Sequence, residues 1–133
     1  MASRVVVSAP ATIANLGPGF DIFGLAIAEP ADVVEVSSAA EGVKISDISG
    51  VGSEKIPRDP ARNSATAAAM RVAEMLDATL NAEFSIRKGV KPNGGLGSSG
   101  ASAAAGAVAA NELLEGELTK EQLIEAAAFA EGE

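Results

Sequence analysis

The strongest constraint in this chain is a run of small residues at 91–102: Lys91, Pro92, Asn93, Gly94, Gly95, Leu96, Gly97, Ser98, Ser99, Gly100, Ala101 and Ser102. An apolar, β-branched stretch over residues 84–90 leads in, and an alanine-rich stretch over residues 101–114 leads out. The pattern predicts a strand, a loop and a helix. Glycine lets the main chain approach a ligand closely and adopt positive φ. The free N–H groups of the first helical turn, together with the helix dipole, then face an anion. A phosphate is the ligand this arrangement suits. The Walker A pattern needs Lys and then Ser or Thr after its last glycine. Here Gly97 and Gly100 are followed by Ser98 and Ala101, so that pattern fails. Gly95, Gly97 and Gly100 do match the spacing of a dinucleotide fingerprint. That fingerprint also needs a second strand ending in an acidic residue, and the residues that follow read as helix. A tight strand-to-helix turn with no ligand is the simpler account of such a loop. Two features weigh against it: Ser98 and Ser99 place hydroxyls where a phosphate and its Mg2+ would sit, and the helix behind is built of small residues.

Composition narrows the chemistry. The chain has no Cys and no His. Disulfides, thiolate metal sites and a Cys nucleophile are excluded, as are Ser-His catalysis and most zinc sites. The net charge of −8 argues against nucleic acid, whose affinity rests on Lys and Arg. It leaves room for a nucleotide, which needs only a few local donors. No run of about 18 apolar residues is present, so no membrane-spanning helix is expected. The first ten residues lack the apolar centre of a signal peptide. A cytoplasmic location is the expectation.

The 133 residues suit one α+β domain. Strands are expected over residues 4–8, 22–28, 31–37, 43–48 and 82–90, with a loop over 10–20 and a turn at Glu29 and Pro30. A helix is expected from Asp59 as N-cap and Pro60 as first helical residue to about Asp77. Two more helices follow, one over residues 99–115 and one capped by Thr119, with Gln122 completing a capping box. The last helix has no stop signal, so the expectation is a larger protein cut within it.

A second loop carries polar groups between apolar strands: Ala9, Pro10, Ala11, Thr12, Ile13, Ala14, Asn15, Leu16, Gly17, Pro18, Gly19, Phe20 and Asp21. Such loops hold ligands on a rigid scaffold, although Asn15 and Asp21 alone would equally serve as turn caps. The two loops together resemble those of the GHMP small-molecule kinases. Within that superfamily the string from Ala14 to Leu25 is similar to that of the homoserine kinases. The resemblance continues through Pro57, Asp59, Pro60 and Asn63 and the run at 91–102. It spans the whole chain but only the N-terminal domain of the family.

The resemblance implies a fold, a site and a reaction. The fold is a two-layer α+β sandwich like ribosomal protein S5 domain 2, with residues 1–133 as the ATP-binding domain. Residues Lys91 to Ala101 would cradle the ATP phosphates, with Asn63 on the adenine side. Ser99 would hold Mg2+ with Glu131, or with Glu133 if the spacing carries a small insertion. Asn15 and Asp21 would be the substrate-binding and catalytic residues. An acceptor-only carboxylate matches an ammonium, which gives Asp21 the amino group of L-homoserine. With no His, Asp21 is also the only candidate general base in the loops. The implied reaction moves the γ-phosphoryl of ATP to the L-homoserine hydroxyl in threonine biosynthesis, and the implied assembly is a homodimer. The alternatives are a shikimate-type or mevalonate-type GHMP kinase, a non-catalytic nucleotide-binding fragment, and an NAD-binding oxidoreductase. The last leaves the first loop unexplained. Two departures from the family stand out. Asn93 occupies a position usually held by Gly, and the glycine-rich motif of the C-terminal domain is absent.

Overall fold

The computed structural model describes residues 4–13, 25–89 and 98–131. Its elements in chain order are β1 (Arg4–Ile13), β2 (Leu25–Ser38), β3 (Val43–Gly50), α1 (Ser64–Met75), β4 (Ala82–Lys88), α2 (Ser98–Leu113) and α3 (Lys120–Ala130). The four strands form one mixed sheet in the order β1-β2-β4-β3. β1 with β2 and β2 with β4 are antiparallel, whereas β3 with β4 is parallel. A parallel neighbour cannot be reached by a hairpin, and α1 lies in the connection that carries the chain from β3 to β4. The α+β class and the two-layer arrangement expected from sequence are both present.

The alternation of the strands sets which face meets the helices. Val34 and Val36 on β2 stand opposite Ile86 and Phe84 on β4, and all four are buried. Side chains two apart share a face, so Asp32 and Lys88 extend these two rows on the same inner side. α2 lies over β1 and β2, α1 packs beside α2, and α3 closes against both helices. α2 is apolar nearly all round, the pattern of a helix buried on most sides. Its small residues permit a very close crossing. A Cβ built at Gly106 would lie 2.0 Å from the carbonyl oxygen of Ala65 on α1. Further out, the Arg71 guanidinium on α1 sits 4.5 Å from the ring centroid of Phe129 on α3, a cation–π contact. At the far edge, Arg4 on β1 donates to Glu35 on β2 at 2.9 Å, and this bond holds the Glu35 carboxyl below its ordinary value.

Several boundaries differ from the sequence-based expectation. β1 continues through Pro10 to Ile13 instead of ending near Ser8. β1 is an edge strand with a register shift between Pro10 and Ala11, and edges and bulges are where a sheet tolerates proline. The expected second and third strands are one strand, β2, and the expected turn at Glu29 and Pro30 lies inside it. Pro10 pairs with Ala31 and Ala11 with Ile27, so residues 28–30 are looped out as a bulge. The helix expected from Asp59 begins at Ser64 with Asn63 as its N-cap. Asp59 serves a preceding turn: its Oδ1 accepts from Ala61 N at 3.1 Å and its carbonyl accepts from Arg62 and Asn63. Thr119 and Gln122 form the expected capping box on α3.

Candidate active site

β4 ends at Lys88, on its inner row, and α2 begins at Ser98. Between those points lie Lys91, Pro92, Asn93, Gly94, Gly95, Leu96 and Gly97, which fall outside the described residues, as do Asn15, Asp21 and Glu133. Ser98 and Ser99 are placed as the opening of α2 by their backbone alone. The described structure therefore fixes the frame of the expected phosphate site.

That frame is a buried polar cluster that the sequence reading did not single out. Lys88 Nζ donates to Asp32 Oδ2 and, at 2.6 Å, to Ser102 Oγ. The Ser102 hydroxyl in turn donates to Asp32 Oδ2 at 2.8 Å. The other carboxylate oxygen, Oδ1, accepts the backbone N–H of Gly89 at 3.0 Å. The side chains are almost wholly enclosed, with residue exposures of 0% for Asp32, 3% for Lys88 and 6% for Ser102. A buried carboxylate and ammonium are tolerated when they are paired and their remaining hydrogen-bonding capacity is used. The main chain of Lys88 is held too, since its carbonyl accepts Val51 N at 3.0 Å. Gly89 has no room for a side chain: a Cβ there would lie 1.9 Å from the Ala31 carbonyl oxygen. The signal was present in the strand alternation. Phe84, Ile86 and Lys88 share one face, as do Asp32, Val34 and Val36, and a lysine and an aspartate at the ends of two buried rows mark an internal ion pair.

At the opening of α2, Gly100 is exposed and Ala101 buried. Glu131, at the C-terminal end of α3, is brought alongside: a Cβ built at Gly100 would lie 3.8 Å from Glu131 Oε1. Glu131 is exposed, so its carboxylate is reachable from solvent. An open groove of about 800 Å3 runs from Gly100 and Glu131 between α2 and α3 toward Lys120. Carboxylate oxygen is a suitable donor for Mg2+, which usually takes one or two protein carboxylates together with substrate phosphates. Among the described residues no cluster of three metal-ligating side chains occurs.

Asn63 has a different role from the one expected. It is 1% exposed and its Oδ1 accepts from Ala65 N at 3.0 Å and Thr66 N at 3.4 Å. Its Nδ2 donates to the Pro57 carbonyl at 2.9 Å. The carboxamide is committed to capping α1 and tying down the preceding turn, whereas the sequence-based expectation placed Asn63 on the adenine side.

A strand of a parallel pair, a glycine-serine run and a helix N-terminus with a carboxylate beside it follow one another as expected of the phosphate-handling, small-molecule kinase class. The model of the GHMP kinases N terminal domain matches residues 63–133, more than half of the sequence, and the chain belongs to that family. A homoserine kinase from Halorubrum lacusprofundi is 51% identical over 129 residues, which are 97% of this chain and 41% of that protein. One from Methanococcus maripaludis is 42% identical over 96% of this chain. The chain thus spans about two fifths of the length of the curated relatives it matches. Among solved structures, homoserine kinase from Cytophaga hutchinsonii superimposes with a TM-score of 0.88 at 34% identity, over 98% of this chain and 42% of that one. Mevalonate kinase from Staphylococcus aureus gives 0.64 at 24% identity over 98% of this chain and 45% of that one, a likeness of fold alone.

Proposed function

We propose that this chain is the ATP-binding part of a homoserine kinase, which transfers the γ-phosphoryl group of ATP to the side-chain hydroxyl of L-homoserine. One observation carries the substrate assignment: relatives bearing that name are about half identical to the chain across nearly its whole length. The site geometry supports the phosphate-binding half of the reading. The opening of α2 offers backbone N–H groups and a positive dipole end, and Glu131 stands beside Gly100 as a hard oxygen donor. In this reading Lys91 to Ala101 cradle the phosphates, and Ser99 and Glu131 hold Mg2+. Asn15 and Asp21 bind the amino alcohol, with Asp21 gripping its ammonium. Residues 1–133 form the nucleotide-binding domain.

Bound Mg2+ would neutralise charge on the phosphates. The residues of this chain supply position and electrostatic complementarity, the main means by which phosphoryl transfer is accelerated. The reaction belongs to threonine biosynthesis, a cytoplasmic process, and the working assembly is a homodimer. No helix among the described residues is long and apolar enough to cross a membrane. ADP release by the full-length protein, with homoserine, shikimate and mevalonate offered in turn, tests the reading. Turnover with homoserine alone is expected, and Asp21→Ala is expected to raise the KM for homoserine. Preference for another alcohol sinks the substrate assignment.

A further inference from the structure

The buried cluster at the mouth of β4 has a geometry that a core salt bridge does not need. One carboxylate, Asp32, touches the chain on both sides of the glycine-serine run. Its Oδ1 takes the Gly89 N–H, immediately before the run, and its Oδ2 takes the Ser102 hydroxyl, in the opening turns of α2. Lys88 spans the same two sides, since its ammonium reaches both Asp32 and Ser102. At 3% exposure Lys88 is enclosed within the protein. We infer that Asp32, Lys88 and Ser102 are positioning residues: together they form a clasp that fixes the end of β4 relative to the N-terminus of α2, and so set the affinity for the nucleotide phosphates. This rests on the reading of residues 91–101 as the phosphate-binding run.

Three observations favour a clasp over simple filling of the core. The partners come from three separate elements, β2, β4 and α2, and all converge at the two flanks of one loop. Gly89 is pressed against the Ala31 carbonyl so tightly that no Cβ fits, which fixes where the chain departs. The hydroxyl of Ser102 bonds both Lys88 and Asp32, so one atom couples the helix that would face the phosphates to the ion pair beneath it. Misplacing a binding group by about 1 Å can cost on the order of a hundredfold, so a rigid base for the loop has a direct consequence for binding.

The test uses the full-length protein and MgATP as the probe, with calorimetric Kd, steady-state KM for ATP and for homoserine, and Tm. Ser102→Ala removes the hydroxyl that bonds α2 to the ion pair and leaves Lys88 beside Asp32. Ser102→Thr keeps the hydroxyl. Val72→Ala, in the core of α1, is a matched destabilised control. Ser102→Ala is expected to weaken MgATP binding by about tenfold or more, with the homoserine KM little changed. Ser102→Thr should stay near the parent, and Val72→Ala should lower Tm without moving the Kd. The clasp is overturned if Ser102→Ala binds MgATP as the parent does, or if Val72→Ala weakens binding equally. A parent that binds MgATP but ignores homoserine removes the substrate assignment and leaves the clasp to be judged on Kd. A parent that does not bind MgATP overturns both.

Discussion

At Gly89 a single missing methyl group decides whether β4 can end where it does. The 1.9 Å approach to the Ala31 carbonyl leaves any side chain overlapping backbone, which cannot rotate aside. Gly89→Ala is therefore expected to cost about 3 kcal/mol or more, at the upper end of overpacking effects, read as a lower urea midpoint at unchanged slope. A near-neutral result would mean that the β2–β4 junction yields easily. Asp32 differs in kind. Removing it leaves the Lys88 ammonium enclosed without its carboxylate, a change that commonly costs about 3–5 kcal/mol. Neither residue stands out by type, because glycine and aspartate are common in loops. What marks Asp32 and Lys88 is their place at the ends of two alternating rows, Asp32, Val34 and Val36 on β2 and Phe84, Ile86 and Lys88 on β4. The expected strands over residues 31–37 and 82–90 already contain both rows, but each polar end is informative only when the two strands are known to be neighbours. The residues proposed to face the ligand carry a different kind of signal. Glycines, serines and an Asn-Leu-Gly string form a local pattern, whereas a clasp joining residues 32, 88 and 102 is non-local and has no contiguous signature.

The helices show how far local chemistry decides their ends. The capping box on α3 was readable because Thr119 and Gln122 interact only with each other's backbone. The start of α1 was not, because two residues compete for the cap, Asp59 and Asn63, and the choice depends on burial. Asn63 is enclosed and bonded on both sides of its carboxamide, whereas Asp59 is exposed. Asn63→Ala is expected to cost about 1–2 kcal/mol. The opposite sign is expected at the other end of the same helix. Asp77 has φ of +53°, and the bonds from Asp77 N to the Glu74 carbonyl and from Ala78 N to the Ala73 carbonyl close a Schellman turn. Glycine adopts that conformation without a Cβ penalty, so Asp77→Gly should stabilise by about 0.5–1 kcal/mol after its unfolded-state entropy is counted. Thermal unfolding of the two variants side by side checks both signs, and a loss of stability in Asp77→Gly would show that the aspartate side chain makes a compensating contact.

Across the whole molecule, charge and topology act together. Eighteen acidic residues against ten basic ones leave a net charge of −8 on 133 residues. Self-repulsion of that size opposes compaction, and salt screens it, the Debye length shrinking to about 3 Å at 1 M. Tm is expected to rise as NaCl is increased from low concentration to 1 M. A flat or falling Tm would locate the acidic residues where nearby cations already balance them, as Arg4 does for Glu35. The clasp adds a consequence for the order of events in folding. Its contacts join residues separated by 56 and 70 positions along the sequence, and such distant contacts are slow to form. Asp32 gains its partners only after β2 has found β4 and α2 has settled onto the sheet. A chain still missing one of those steps has an unfinished floor beneath its glycine run. If residues 91–101 hold the nucleotide as proposed, that capacity is among the last properties the domain acquires, and a bound nucleotide certifies a finished domain.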